Sequence, residues 1–172
     1  MKKTNIIEEI TLDMKSTEKL MPSLEYVITD EEILRSIAAI DDIEQTDRYG
    51  RTLLINAAVC ERINVIQYLL SRNADINASD KNGFTALHMA VQTKNIDLIK
   101  FLIENGSDIH ARNTYGNEPL CEINLSCPHS VIELLLEHGA DPDSKNNYDV
   151  CLRDVYAAYP DIIALFDKYK GN

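Results

Sequence analysis

Apolar residues recur along the chain in short stripes at helical spacing, and the stripes repeat every 33 residues. Each stripe occupies positions i, i+1, i+4 and i+5, which lie on one side of an α-helix. The three clearest stripes are Val65, Ile66, Leu69 and Leu70; Leu98, Ile99, Leu102 and Ile103; and Val131, Ile132, Leu135 and Leu136. Because a helix can bury such a stripe only against a neighbour, the pattern predicts a stack of helices.

A polar turn precedes each of these helices at the same interval. Gly50, Gly83 and Gly116 stand where a tight turn needs a positive φ, which a side chain would penalise. Thr52 and Thr85 follow two residues later, where their hydroxyls are placed to cap a short first helix. Each unit is therefore predicted to contain a turn, a short helix and the helix that carries the stripe.

The segment from Asp80 to Ala90 reads Asp-Lys-Asn-Gly-Phe-Thr-Ala-Leu-His-Met-Ala, and the same unit closes with Gly106-Ser107-Asp108-Ile109. This pattern resembles the ankyrin repeat. The resemblance implies an all-α ankyrin-repeat solenoid with short β-turn fingers and three well-matched repeats, at residues 47–79, 80–112 and 113–145. It further implies that residues 1–172 form a single ankyrin-repeat domain, in which residues 1–46 and 146–172 are diverged N- and C-terminal caps.

The two caps are expected to show polar outer faces to the solvent. In the N-terminal cap, apolar residues recur at helical spacing from Ser16 to Val27, and Thr29 with Glu32 forms a capping box that starts a second helix. This cap holds eleven acidic and five basic residues, which predicts an acidic surface. In the C-terminal cap, Pro160 predicts the start of the final helix. The charged residues expected to make that cap polar are Arg153, Asp154, Asp167, Lys168 and Lys170.

The third repeat departs from the pattern in its first helix. Ile123 stands where the other two repeats have Ala57 and Ala90, and Cys127-Pro128 replaces the usual turn. Overfilling a tight site between helices costs about 1–3 kcal/mol unless the backbone yields. This helix is therefore predicted to be short or displaced.

Composition narrows the classes of function. The formal net charge of −11 argues against general affinity for nucleic acids or anionic membranes, which both require clustered Lys and Arg. No apolar run approaches the roughly 20 residues that span a bilayer, and acidic residues interrupt any signal-peptide core. The expected location is cytoplasmic, and the expected state of the free protein is a monomer. The four cysteines lack Cys-x-x-Cys spacing and are expected to be reduced thiols.

No arrangement of residues predicts catalysis, a cofactor or a metal site. His88 occupies the histidine position of the repeat, for which the resemblance implies a hydrogen bond between repeats. Cys121 and His129 lie on different predicted elements, with no third residue to orient a base. The glycines are not followed by the Gly-Lys-Ser of a phosphate loop. The chain is therefore expected not to be an enzyme, and an enzyme or metal-binding protein is the least favoured alternative.

The tips of the turns carry a different signal, because three of the four hold tyrosine at the same position. Exposed aromatic and arginine side chains are enriched where proteins bind each other. In ankyrin-type stacks the tips line up beside a concave face, so these residues are the candidate protein-binding site. This set, called the finger row below, comprises Arg48, Tyr49, Arg51, Lys81, Asn82, Phe84, Tyr115, Asn117 and Tyr148. The alternative is that these variable positions merely accept tyrosine packed on a neighbouring turn.

The resemblance implies a non-catalytic module that binds another protein through its concave finger and helix face. A narrower form of this hypothesis is an immunity or antidote protein that neutralises a toxin by stoichiometric binding. Small size, acidity and the absence of a second predicted domain favour the narrower form. The sequence does not identify the partner.

Overall fold

The computed structural model describes residues 29 to 169, which form helix pairs joined by turns. The α-helices are α1 (Asp30–Ala38), α2 (Leu53–Val59), α3 (Ile63–Ser71), α4 (Ala86–Thr93), α5 (Ile96–Glu104), α6 (His129–Glu137), α7 (Leu152–Val155) and α8 (Pro160–Lys168). A 3-10 helix covers Pro119–Glu122. The all-α class is confirmed, and the helix predicted over Ser16 to Val27 lies outside the described residues.

The helices form two rows. In the row of first helices, α2 contacts α4, and α4 contacts the 3-10 helix. In the row of second helices, α1 contacts α3, α5 contacts α6, and α6 contacts α8. The two rows are joined within each unit, as where α2 contacts α3 and α4 contacts α5. The predicted stripes form the core, and Leu69, Leu102 and Leu135 are completely buried at matching places in successive units.

The predicted helix caps are present. In the capping box of α1, the Thr29 hydroxyl accepts from the Glu32 amide at 3.4 Å, and the Glu32 carboxylate accepts from the Thr29 amide at 3.0 Å. The Thr52 hydroxyl accepts from the Ile55 amide at 3.3 Å at the start of α2. At the start of α4, the Thr85 amide donates to Nδ1 of His88 at 3.2 Å. These bonds satisfy amide donors that a helix terminus leaves without partners.

The first helix of the third unit is reduced to the 3-10 helix, which confirms the expectation of a short element. Ile123 directly follows it in an extended conformation, with φ −65° and ψ 153°, and its side chain is buried. The backbone therefore leaves the helical path at the residue whose side chain exceeds the alanine of the other units. The first helix of this unit is shorter as a result, and the side chain of Ile123 remains buried in the core.

The C-terminal cap is less polar than the sequence predicted, so that expectation is partly wrong. Arg153 of this cap forms ion pairs with Asp167 of the cap at 2.7 Å and with Asp143 of the third repeat at 2.6 Å. Half of the large apolar side chains that are exposed within residues 29–169 lie in this cap, namely Tyr148, Val150, Val155 and Tyr159. Val155 is 57% exposed, whereas Met89, at the same place two units earlier, is 5% exposed. The following unit covers Met89, whereas no further unit lies over Val155 within residues 29–169.

Candidate functional site

The four turns share one hydrogen-bonding scheme. The first residue of each turn, aspartate or asparagine, accepts two backbone amides through its side-chain oxygen, from the third and the fifth residue of the turn. The donor amides are those of Tyr49 and Arg51 to Asp47 (2.8 and 2.9 Å), Asn82 and Phe84 to Asp80 (2.8 and 3.0 Å), Tyr115 and Asn117 to Asn113 (2.9 and 3.1 Å), and Tyr148 and Val150 to Asn146 (2.9 and 3.2 Å). Side chains of this kind stabilise tight turns by replacing backbone bonds.

Backbone bonds also join each turn to the next. In each case, the amide of the second residue of a turn donates to the carbonyl oxygen of the third residue of the preceding turn. The bonds run from Lys81 to Tyr49 (3.0 Å), from Thr114 to Asn82 (2.9 Å) and from Asn147 to Tyr115 (3.0 Å). The turns are thus held at fixed separations along the stack, and the side chains at their tips are attached to an ordered backbone.

The close approach of neighbouring turns explains why position 83 is glycine and why the equivalent position 149 can be aspartate. Gly83 has φ +78°, and a Cβ added to it would lie 2.8 Å from the Cα of Asn113 in the next turn. Glycine is therefore required by contact as well as by φ. Asp149 stands at the same place in the fourth turn with φ +61°. No further turn follows it in the described part of the chain, so its side chain meets no neighbouring backbone of this kind.

Three tyrosines of the finger row are exposed at the turn tips. Tyr49, Tyr115 and Tyr148 are 48, 47 and 69% exposed. The guanidinium carbons of Arg48 and Arg51 lie 4.6 and 5.4 Å from the ring centroid of Tyr49, within the range of a cation–π interaction. At this end of the finger row, an aromatic surface is therefore combined with positive charge.

The other residues of the finger row differ in their exposure. Lys81 and Asn82 are exposed, whereas Phe84 and Asn117 are half-buried. Phe84 lies edge-on to the ring of His88, with centroids 5.4 Å apart. The Asn117 side chain accepts from the Asn146 side chain of the next turn at 2.9 Å. Phe84 thus packs within its own unit and Asn117 bonds to the next turn, so both present only part of their surface to a ligand.

His88 connects the second unit to the third. It is completely buried, its Nδ1 accepts from the Thr85 amide, and its Nε2 lies 3.2 Å from the carbonyl oxygen of Asn117. This pattern requires the proton on Nε2. Burial lowers the pKa of His88, although the Asn117 carbonyl and nearby carboxylates partly oppose that shift. The imidazole is therefore held neutral, in the inter-repeat role that the resemblance implied.

Glu118 is a structural residue that the sequence analysis missed. It occupies the place of Thr52 and Thr85, and its buried carboxylate has three partners. These are Nδ1 of His110 at 3.2 Å, a guanidinium nitrogen of Arg112 at 3.3 Å and the Ser144 hydroxyl at 2.6 Å. The signal in the sequence was a carboxylate at a threonine position with a basic residue six positions earlier. The cluster joins loops on both sides of the third unit.

The thiols lack the chemistry of a nucleophile. Burial raises the pKa of Cys60, Cys121 and Cys127, whereas a reactive thiol needs a lowered pKa and an aligned base. His129, the base considered for Cys121, lies instead 3.2 Å from Asp161. Within residues 29–169, no group of three or more His, Cys, Asp or Glu side chains could hold a metal ion. None of the helices described there has the length and apolarity that crossing a membrane requires.

Comparison with known proteins agrees with the geometry of the units. A family model of ankyrin repeats in three copies matches residues 24–113 and again residues 79–146. The two matches together run from residue 24 to residue 146, well over half of the 172 residues. A search of curated proteins gives no match. On the strength of the family match and of the repeated turn and helix pair, the chain belongs to the ankyrin-repeat family.

Proposed function

We propose that this protein is a non-catalytic binding module that holds a partner protein on the concave face formed by its finger row and first helices. Ankyrin repeats generally mediate binding between proteins, and the family is typically non-catalytic. The observation that carries the proposal for this face is the set of exposed tyrosines on turns that are bonded to one another. A rigid aromatic side chain loses little conformational entropy on binding, and a fixed backbone lowers that cost further.

The direct experiment compares partner capture by the parent chain and by the variant Tyr49→Ala/Tyr115→Ala. The parent chain is immobilised, a partner is captured from a lysate of the source cells and identified by mass spectrometry, and both chains are then titrated with it. An aromatic anchor at the centre of an interface typically costs about 2 kcal/mol or more when truncated. Two such losses, if additive, weaken binding roughly a thousandfold.

The matched control is Ile96→Ala, because Ile96 is a large exposed apolar side chain on α5, outside the finger row. This change should leave the affinity near that of the parent. If the tyrosine variant binds normally while the control fails, the partner contacts another surface and the proposed face is wrong.

A stoichiometric antidote is the narrower form of this proposal, and the net charge of −11 favours it when the toxin is basic. Opposite charge raises the association rate of two proteins. The expected result is that the captured partner is a cationic toxin whose activity disappears at one equivalent of this chain. Capture of an acidic or catalytically inert partner would contradict the antidote role, and the proposal of a general binding module would still stand.

A further inference from the structure

Glu122 is a half-buried carboxylate on the first-helix side of the third unit. Nε2 of Gln92 donates to it at 2.7 Å, and no basic side chain of residues 29–169 forms an ion pair with it. Burial raises the pKa of Glu122, and the bond from Gln92 only partly opposes that shift. The side chain is thus partly removed from water, and no residue between 29 and 169 supplies an opposite charge that would stabilise its ionised form.

The surroundings of Glu122 are apolar and exposed. Residues 33 positions apart are neighbours in this stack, as the bond from the Tyr156 hydroxyl to the Ile123 carbonyl shows at 3.1 Å. This register places Val155 at the position of the last unit that corresponds to Glu122, and Leu125 at the position of the third unit that corresponds to Gln92. Val155 and Leu125 are 57 and 62% exposed. Gln92, Glu122, Leu125 and Val155 are called the Glu122 patch below.

Burial disfavours the ionised form of a carboxylate at this place. The equivalent residue one unit earlier is Met89, which is buried and needs no polar partner. A lone charge beside exposed aliphatic side chains is instead the arrangement that suits lysine or arginine, whose long apolar stems lie on apolar surface while the charge reaches a partner. Such a charge-assisted bond is stronger where water is partly excluded.

We propose that the Glu122 patch holds a lysine or arginine side chain of the partner, with its stem on Leu125 and Val155 and its cation on the carboxylate of Glu122. This inference rests on the proposed function, because Gln92 and Glu122 belong to the row of first helices, which forms the proposed concave face together with the finger row. The net charge of −11 favours a basic partner. Tyr148 and Val150, in the same terminal unit as Val155, are also exposed, so we expect apolar residues to flank the basic residue in the partner segment.

The test uses a displayed library of random peptides selected on the full chain. The expected result is enrichment of one lysine or arginine flanked by aliphatic or aromatic residues. Parallel selection on Glu122→Gln should retain the apolar residues and lose the basic one. For the best peptide, Glu122→Gln should weaken binding roughly tenfold to a hundredfold, the range for a hydrogen bond to a charged group.

Two variants make this result specific to Glu122. Glu104→Gln removes an exposed carboxylate from α5, where Lys100 is its partner, and should leave peptide affinity unchanged. Glu122→Lys should reject the selected peptide and accept its counterpart in which glutamate replaces the basic residue. Thermal unfolding checks the fold, and Glu122→Gln should melt at or above the parent temperature because an unpaired, half-buried charge has been removed.

The two proposals can fail separately. If the basic peptide requires Glu122 but binds Tyr49→Ala/Tyr115→Ala normally, the finger row is not the anchor and the Glu122 inference stands. If the tyrosine pair is required while Glu122→Gln binds like the parent, the inference is overturned and the proposed function remains. Selection that yields no peptide, or peptides without lysine or arginine, also overturns it.

Discussion

His88 shows what a single residue contributes to this stack. Its ring accepts a bond from its own unit and donates one to the next, and both bonds lie in the core. A protonated imidazole would carry a donor where the Thr85 amide also needs an acceptor. The hydrogen bonds therefore favour the neutral ring. Burial lowers the pKa of His88 and so favours the neutral ring as well.

Because the pKa of His88 is lowered in the folded chain, the stability of the protein should decrease as the pH falls. The unfolded chain binds a proton at His88 near the ordinary pKa of about 6.5, while the folded chain resists it. The contribution of His88 is therefore fully present above that pH, and the free energy of unfolding falls as the pH drops below it. Denaturant titrations at several pH values should show a shallower decline for His88→Gln than for the parent.

His138 provides the control for this titration, because it is exposed and lies at the end of α6. His138→Gln removes a histidine from outside the core, so the effect of His88→Gln on the decline is compared with that of losing an exposed histidine. A decline that persists unchanged in His88→Gln would show that another group causes it.

At the scale of the turns, the side chain of the fifth residue of one turn lies opposite that of the first residue of the next. Arg51 faces Asp80, with Nε 3.8 Å from Oδ2. The side-chain oxygen of Asn117 accepts a hydrogen bond from the side-chain amide of Asn146 at 2.9 Å. In the second pairing the fifth residue is Phe84, which offers no donor. Asn113 stands opposite as a neutral amide, and its Nδ2 is buried without a hydrogen-bond partner.

A charge at position 113 should therefore be costly. Asn113→Asp would place a carboxylate where Phe84 cannot neutralise it, and an unsatisfied buried polar group costs about 1–3 kcal/mol, or more when charged. Phe84→Arg in the same chain should recover part of that loss by recreating the pairing of Arg51 with Asp80. Chemical denaturation of the parent, both single variants and the double variant measures the coupling energy. Additive losses would show that the two positions do not interact.

The sequence predicts those features that each unit determines within itself. The apolar stripes, the turn glycines and the threonine caps depend on local backbone geometry, and Ile123 was sufficient to predict a shortened helix. The cluster at Glu118 and the exposure of Val155 depend on which unit lies next to them. A repeat pattern describes the average unit, and it does not specify which residues of the adjacent unit a given side chain contacts. The binding role of the finger row stays a prediction, because its partner surface is not encoded in the repeat.

The whole molecule behaves as a row of units, each in contact with its neighbours. The bonds between turns, the contacts along the helix rows and the bridge made by His88 all join adjacent units. In such a stack, stability is approximately a sum of the stabilities of the units and of the interfaces between neighbours. When a core side chain is truncated, the position of the resulting cavity in the stack should therefore determine how many units it destabilises.

Leu102→Ala and Phe166→Ala test this dependence, because both side chains are completely buried, one in α5 and the other in α8. Leu→Ala in a core costs about 2–5 kcal/mol, and Phe→Ala about 3–5 kcal/mol. Leu102 lies in a unit with neighbours on both sides, so its loss weakens two interfaces. Phe166 lies in the last unit of the described chain, where its loss weakens one.

Hydrogen exchange followed by mass spectrometry separates the two outcomes. Leu102→Ala should accelerate amide exchange throughout residues 47–145 and lower the midpoint of the main unfolding transition. Phe166→Ala should accelerate exchange chiefly in α7 and α8, because the last unit can open while the units before it keep their remaining interfaces. Equal acceleration along the whole chain in both variants would mean that the units unfold as one cooperative body, and the nearest-neighbour description would then be wrong for this protein.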